Sequence, residues 1–352
     1  MIKVGFIGLG QMGRMHLATC LHIEGVQVVA AADPSKKALA KAKATGVANL
    51  YSDFKEMVEK NPLDLDAVVI SVPNFLHYDT IRLCLDNGLD VFAEKPLAVN
   101  VAQCQDIVNQ VHASGRKFMI GHSMRFVPAV EKVKADLKKG KIGNLEVATI
   151  EEIANGPFSH PRHPTPVADW WFDPQKSGGG ALIDIGYHMI DLFRFLTEEE
   201  ATVKFADLSF KYNLPVEEGA TVMLSSFKSG VRGFINVGWY QRSIFPKFNF
   251  RALLHGDCGY LSTENHTPKN IYMHAAKVGA KNIAKRMVGK KPSYLAYTYY
   301  WESYYKELSA FFRSIAEDTE TPTTAMDGLR TVQIIEDAYS LFKKNSGAEK
   351  VE

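Results

Sequence analysis

The chain has 352 residues, 46% of them hydrophobic and 23% charged, and at about 150 residues per domain that length predicts roughly two globular domains. These fractions exclude a disordered or low-complexity chain, and 41 Lys and Arg against 39 Asp and Glu give no general field for binding nucleic acid. Cys20, Cys84, Cys104 and Cys258 share no metal-ligand spacing, so neither a metal centre nor a disulfide framework is expected, and they read as reduced thiols of a cytoplasmic protein. No run of about 18 apolar residues occurs, and the first residues are too short and glycine-broken for a signal peptide, so no membrane association is expected.

In chain order, residues 3–7 read as a strand, 12–23 as a helix, 26–32 as a strand and 34–45 as a Lys- and Ala-rich helix. Residues 65–72 are an apolar strand, 77–86 a helix, 90–93 a strand, 101–114 a helix and 117–121 a strand. This alternation predicts a parallel, doubly wound sheet. After residue 122 the pattern changes: 126–138 and 178–196 have helical period, whereas 145–153, 203–212, 220–227, 232–240 and 248–255 alternate like strands. Strands that follow one another without helices predict a mostly antiparallel sheet. Residues 301–318 and 325–344 return to helix. The expected architecture is α/β: a doubly wound domain at 1–122, then an α+β domain at 123–352 with a large, open, mostly antiparallel sheet for substrate and subunit contacts.

Gly8-Leu9-Gly10-Gln11-Met12-Gly13 has the G-x-G-x-x-G spacing. Alone the hexapeptide is a weak signal, but here it directly follows a strand and opens a helix. In that setting two glycines permit the tight turn and the approach of a pyrophosphate, the third lets helix and strand pack, and the helix N-terminus at Gln11 and Met12 favours negative charge. Asp33 ends the next strand, 20 positions after Gly13, where a carboxylate can accept from ribose hydroxyls. A Rossmann domain that binds NAD is therefore expected. The carboxylate would repel the 2′-phosphate of NADP, although Lys36 and Lys37 soften that discrimination. The competing reading of Asp33 is an N-cap for a helix starting at residue 34.

Ala93-Glu94-Lys95-Pro96-Leu97 lies at the end of a parallel strand, and Ser177-Gly178-Gly179-Gly180-Ala181-Leu182-Ile183-Asp184-Ile185-Gly186-Tyr187-His188 opens a helix. With the glycine motif, and with Val72-Pro73-Asn74, His77, Arg125-Phe126-Val127-Pro128 and Gly140-Lys141-Ile142-Gly143, these segments resemble the glucose-fructose oxidoreductase/inositol dehydrogenase (Gfo/Idh/MocA) family over nearly the whole chain. The resemblance implies that Ser71, Pro73, Asn74, His77, Glu94 and Lys95 border the cofactor. It also implies that Lys95, Asp184 and His188 form the catalytic group, with Arg125, Trp170, Trp171 and Tyr240 as further substrate contacts.

Without the family, the helix from residue 178 still stands out, because Asp184, His188 and Asp191 fall in one stripe among apolar flanks. Such a stripe is costly to bury unless partnered. It is either a satisfied core network or a proton-transfer site. Oxidising a secondary alcohol needs a hydride acceptor and a base for the hydroxyl proton, and an imidazole titrates near neutrality. By resemblance His188 would move the proton, Lys95 would polarise the reacting oxygen and Asp184 would orient its neighbours.

The sequence departs from the family where Trp171 replaces an arginine, leaving a Trp pair that either stacks on a sugar face or anchors a loop. His160 and His163 lie in the Pro-rich segment 155–167 and read as solvated rather than as ligands. Residues 275–291 carry Lys277, Lys281, Lys285, Arg286, Lys290 and Lys291, and a Tyr-rich stretch runs from Tyr294 to Tyr305. The basic segment reads as a solvated helical face, yet with the tyrosines it tilts the substrate expectation towards a nucleotide sugar of UDP-sugar type. The expected function is an NAD-dependent dehydrogenase of a sugar, cyclitol or nucleotide sugar, assembled as a homodimer or homotetramer. The alternatives are an NAD-dependent glycosidase, which oxidises transiently and recycles its cofactor, and a non-catalytic sensor.

Overall fold

The computed structural model describes residues 1–60, 63–160, 163–240, 249–289 and 301–346. The first sheet is built from β1 (Ile2–Ile7), β2 (Val26–Ala32), β3 (Asn49–Tyr51), β4 (Ala67–Ile70), β5 (Asp90–Ala93) and β6 (Phe118–Ile120). Its order is β3-β2-β1-β4-β5-β6 and all its pairings are parallel. The order reverses between β1 and β4, which opens a crevice at the carboxyl ends of the strands. The connecting helices are α1 (Gln11–Cys20), α2 (Lys36–Ala44), α3 (Phe54–Glu59), α4 (His77–Asp86) and α5 (Val101–Ser114). Helices on both faces explain why all four residues of β4 are buried and why its sequence is a continuous apolar run.

In the first sheet domain two short elements escape the sequence reading. β3 has three residues and α3 six, too few to show a period. The start of α2 also differs, because Ser35 caps it by accepting from the Ala38 N–H at 3.3 Å.

The second part opens with α6 (Pro128–Lys138), then β7 (Leu145–Ile153), the hairpin β8 (Phe158–His160) and β9 (His163–Pro166), the single turn α7 (Pro174–Ser177) and α8 (Tyr187–Thr197). There follow β10 (Ala201–Ser209), β11 (Gly219–Ser226), β12 (Arg232–Gly238), β13 (Asn249–Gly256), β14 (Gly259–Ser262), α9 (Ile271–Met287), α10 (Trp301–Ala316) and α11 (Ala325–Ser346). The large sheet runs β10-β11-β12-β7-β13-β14, and only β12 with β7 is a parallel pair. Ala148, Ile150, Ile235, Val237, Ala252 and Leu254 form its buried face, under α8 and the turn before it. On the other face the register aligns Phe205, Met223 and Phe234 across three strands, and Phe205 and Phe234 are exposed.

The helix expected over 178–196 is divided. Leu182–Gly186 form a π-turn, and regular α-helix begins at Tyr187. The chain's last third returns to the first sheet, where Leu308, Phe311 and Phe312 of α10 share a core with Phe6, Leu9 and Leu17. Among the described residues no helix is long and apolar enough to cross a membrane.

Candidate active site

The glycine turn between β1 and α1 has a different constraint at each glycine. Gly8 has φ +87°, and a Cβ there would lie 2.6 Å from the Ser71 carbonyl oxygen. A Cβ on Gly13 would collide with the Gly8 carbonyl, so α1 can approach β1 only with glycine at that place. At Gly10 a Cβ would meet nothing within 4 Å. The space beside Gly10, at the N-terminus of α1, therefore suits a phosphate. Asp33 is not a helix cap. Its Oδ2 accepts from the Leu9 N–H and its Oδ1 from the Ser35 N–H, both at 2.7 Å. These bonds fix the carboxylate beside the turn and leave it lone pairs for ribose hydroxyls. Turn, helix end and carboxylate together fit a dinucleotide.

The neighbouring strand ends are cross-tied. Asn74 Nδ2 donates to the Ser177 carbonyl at 2.8 Å, which joins the loop after β4 to the triple-glycine segment. The ring nitrogens of His77 face the carbonyls of Pro96 at 2.7 Å and Val72 at 2.9 Å, so this ring holds two loops together, and burial keeps its pKa below the ordinary value. Glu94 Oε1 meets His16 Nε2 at 2.5 Å, and Oε2 accepts from the Lys95 N–H at 3.1 Å. Burial would raise the Glu94 carboxyl, but His16 and Lys95 hold it below its usual value. Ser71 Oγ is buried without a partner among the described residues.

Lys95 and Asp184 meet across the crevice. Lys95 Nζ donates to the Asp184 carbonyl oxygen at 2.8 Å and to Oδ1 at 2.9 Å, while Trp239 Nε1 donates to Oδ2 at 3.1 Å. Both carboxylate oxygens of Asp184 are thus tied. The π-turn presents Asp184 to Lys95, and such wide turns recur at functional sites. The turn is anchored from below. Glu217, 2% exposed, accepts from the Gly180 and Leu182 N–H groups and from Tyr339 Oη at 2.8–3.1 Å. A Cβ on Gly179 would strike Tyr339, and one on Gly180 would strike the Glu217 carbonyl, which explains the run of glycines.

His188 follows one turn later, half-buried, with an edge contact to Tyr187. Burial, with the Lys95 ammonium nearby, pulls its pKa down to about 3, so the ring is neutral at neutral pH. Asp191 is turned elsewhere. It takes the Arg125 fork at 2.6 and 2.9 Å and lies 3.0 Å from His122 Nδ1, and despite its burial Arg125 and His122 hold its carboxyl far below the ordinary range.

Four expected substrate contacts have partners within the chain. Arg125 Nη2 bonds Asp327 at 3.0 Å as well as Asp191, so its guanidinium is tied to a buried acidic pair rather than to the Lys95 group. Tyr240 follows Gly238 on the opposite parity from Trp239. Inward positions on β12 are odd-numbered, so Trp239 points to Asp184 while the Tyr240 ring lies over Gly219 and Gly238. Trp170 and Trp171 stack on each other at 4.4 Å, with the Trp170 edge on Phe75, and Phe172 approaches Trp239 at 6.4 Å. Lys277, Lys281 and Arg286 are exposed on α9. Lys290, Lys291 and the tyrosines from 294 to 300 lie outside the described residues, as do the side chains of His160 and His163. Sequence reasoning missed Trp239, Glu217, Tyr339 and Glu152. Only Trp239 left a signal, the inward parity of 235, 237 and 239.

A glycine turn fitted to a dinucleotide, beside a Lys–Asp pair that joins the first sheet domain to the second, defines a nucleotide-dependent oxidoreductase. The chain belongs to the GFO/IDH/MocA family: residues 2–122 match its oxidoreductase, NAD-binding Rossmann-fold model and residues 130–262 its C-terminal domain model. It is 25% identical over 346 residues to an inositol 2-dehydrogenase of Rhizobium meliloti, covering 96% of each chain. A putative UDP-kanosamine synthase oxidoreductase subunit of Amycolatopsis mediterranei is 30% identical over 203 residues, 55% of this chain and 51% of that one. The fold matches that of scyllo-inositol dehydrogenase from Lactobacillus casei, solved with NAD(H) and scyllo-inositol, with TM-score 0.79, 22% identity and 98% of each chain covered.

Proposed function

We propose that this NAD-binding oxidoreductase is a dehydrogenase of a secondary hydroxyl on a neutral cyclitol or sugar. The observation that carries the reading is the Lys95–Asp184 pair, with both Asp184 oxygens already bonded, beside a neutral His188. The glycine turn, Asp33, and the loops tied by Asn74 and His77 would hold NAD, which supplies the hydride acceptor when bound. Lys95 uses two of its three ammonium donors on Asp184, and the third remains for the reacting oxygen. His188, neutral, accepts the hydroxyl proton on a ring nitrogen. Asp184 is a positioning group, its carboxylate held between Lys95 and Trp239. The stacked Trp170 and Trp171 would offer an aromatic face to a sugar ring.

A cyclitol or free sugar has more support than a nucleotide sugar. The relative matched end to end is an inositol dehydrogenase, whereas the nucleotide-sugar relative matches about half the chain. The test is NADH formation from inositols, aldoses and nucleotide sugars with NAD and NADP. Net NADH from a polyol supports the reading; turnover of a glycoside without net NADH replaces it with the glycosidase; no turnover of any of them overturns it.

A further inference from the structure

Among the buried carboxyls that the roles above leave unused, Glu152 stands on the β7–β12 strand pair. Glu152 lies near the end of β7, opposite Val237 of β12 and Phe250 of β13, on the inward face it shares with Ala148 and Ile150. It is 4% exposed, and its Oε2 has no hydrogen-bond partner among the described residues. Two residues beyond its neighbour Val237 stands Trp239, whose indole reaches Asp184. Glu152 interacts electrostatically with Asp184 and Lys95, and Tyr304 of α10 senses Glu152 in turn.

A core position filled for packing alone would take an apolar side chain of the same volume, because an orphaned buried oxygen lowers stability. Burial, reinforced by Asp184 and opposed by Lys95, raises the Glu152 pKa to about 8. At neutral pH it therefore keeps its proton and offers one O–H donor and one carbonyl acceptor, the complement of an alcohol.

We propose that Glu152 is a specificity-determining residue, which hydrogen-bonds as a neutral acid to a hydroxyl next to the carbon being oxidised and so selects vicinal polyols. The inference rests on the dehydrogenase reading and adds a contact to it. No covalent bond changes at Glu152.

The test compares wild type with Glu152→Gln, which keeps a neutral donor and acceptor, and Glu152→Met, which keeps length without either. Each is assayed for NADH formation on the best polyol among myo-inositol, scyllo-inositol and glucose and on its mono-deoxy analogues, with Tm and NAD affinity measured alongside. The Gln variant should stay within about threefold in kcat/KM. The Met variant should lose about tenfold or more through KM on the full polyol, should show no further loss on one deoxy analogue, and should have an unchanged or higher Tm. Should the Met variant not fold, Glu152→Ala takes its place. Equal losses on every substrate, or no loss, would overturn the inference while leaving the dehydrogenase intact. No NADH from any polyol in wild type would overturn both readings.

Discussion

Trp239→Phe removes one N–H donor while keeping an aromatic ring among Phe158 and Phe172. The lost bond is the one from Nε1 to Asp184 Oδ2, 3.1 Å long. Hydrogen bonds to charged groups contribute about 1.5–3 kcal/mol, and the length of this one places it near the lower bound. Since about 1.4 kcal/mol is a factor of ten, kcat should fall roughly tenfold as Asp184 swings and Lys95 loses its fixed position. NAD affinity should stay within about twofold, because Gly10 and Asp33 are built from other strands. The smaller ring should also lower stability by about 1 kcal/mol through the void it leaves. Steady-state kinetics, NAD titration and thermal unfolding read the three quantities separately. A kcat within twofold of wild type, in a folded variant, would show that Asp184 does not need the indole and would refute the positioning argument.

Asp33→Ser should raise KM for NAD and shift preference towards NADP; an unchanged ratio would remove Asp33 from the ribose site. His188, held at about 3 in the fold against 6.5 when unfolded, should make stability fall as pH drops from about 6.5 towards 3, and His188→Gln should flatten that limb of a denaturation series. Glu152 acts in the opposite sense: its raised pKa stabilises the fold below about 4.5, and that contribution is lost as pH rises through about 8, a slope that Glu152→Gln should remove. The row Phe205, Met223 and Phe234, whose two phenylalanines are exposed, should be covered by a second subunit. Light scattering should then give a multiple of 39.2 kDa that drops in Phe234→Asp, and a wild-type monomer at micromolar concentration would contradict this.

Periodicity made the two sheets legible, because a strand buried on both faces and a strand buried on one write different patterns. It did not show β3 or α3, which are shorter than one readable repeat. It also could not show that 178–186 widens into a π-turn, since an extra residue per turn leaves the apolar content unchanged. The glycine motif was visible because backbone approach admits few residue types, and Lys95 through the family resemblance. The partners of Arg125 were not legible for a reason the chain order hides: Asp191 and Asp327 lie 66 and 202 positions away and converge on its guanidinium only in three dimensions. Glu217 was invisible on the same ground, being a buried acid that caps a helix start 35 residues earlier.

The most direct measurement is single-turnover NADH formation by Lys95→Ala and His188→Ala on the polyol that wild type oxidises, with NAD binding determined in parallel. General acid–base groups contribute about 10² to 10⁴ in rate, so each variant should lose at least about a hundredfold while binding NAD as wild type does. A loss below tenfold in either variant would move the proton transfer to other residues and contradict the site described.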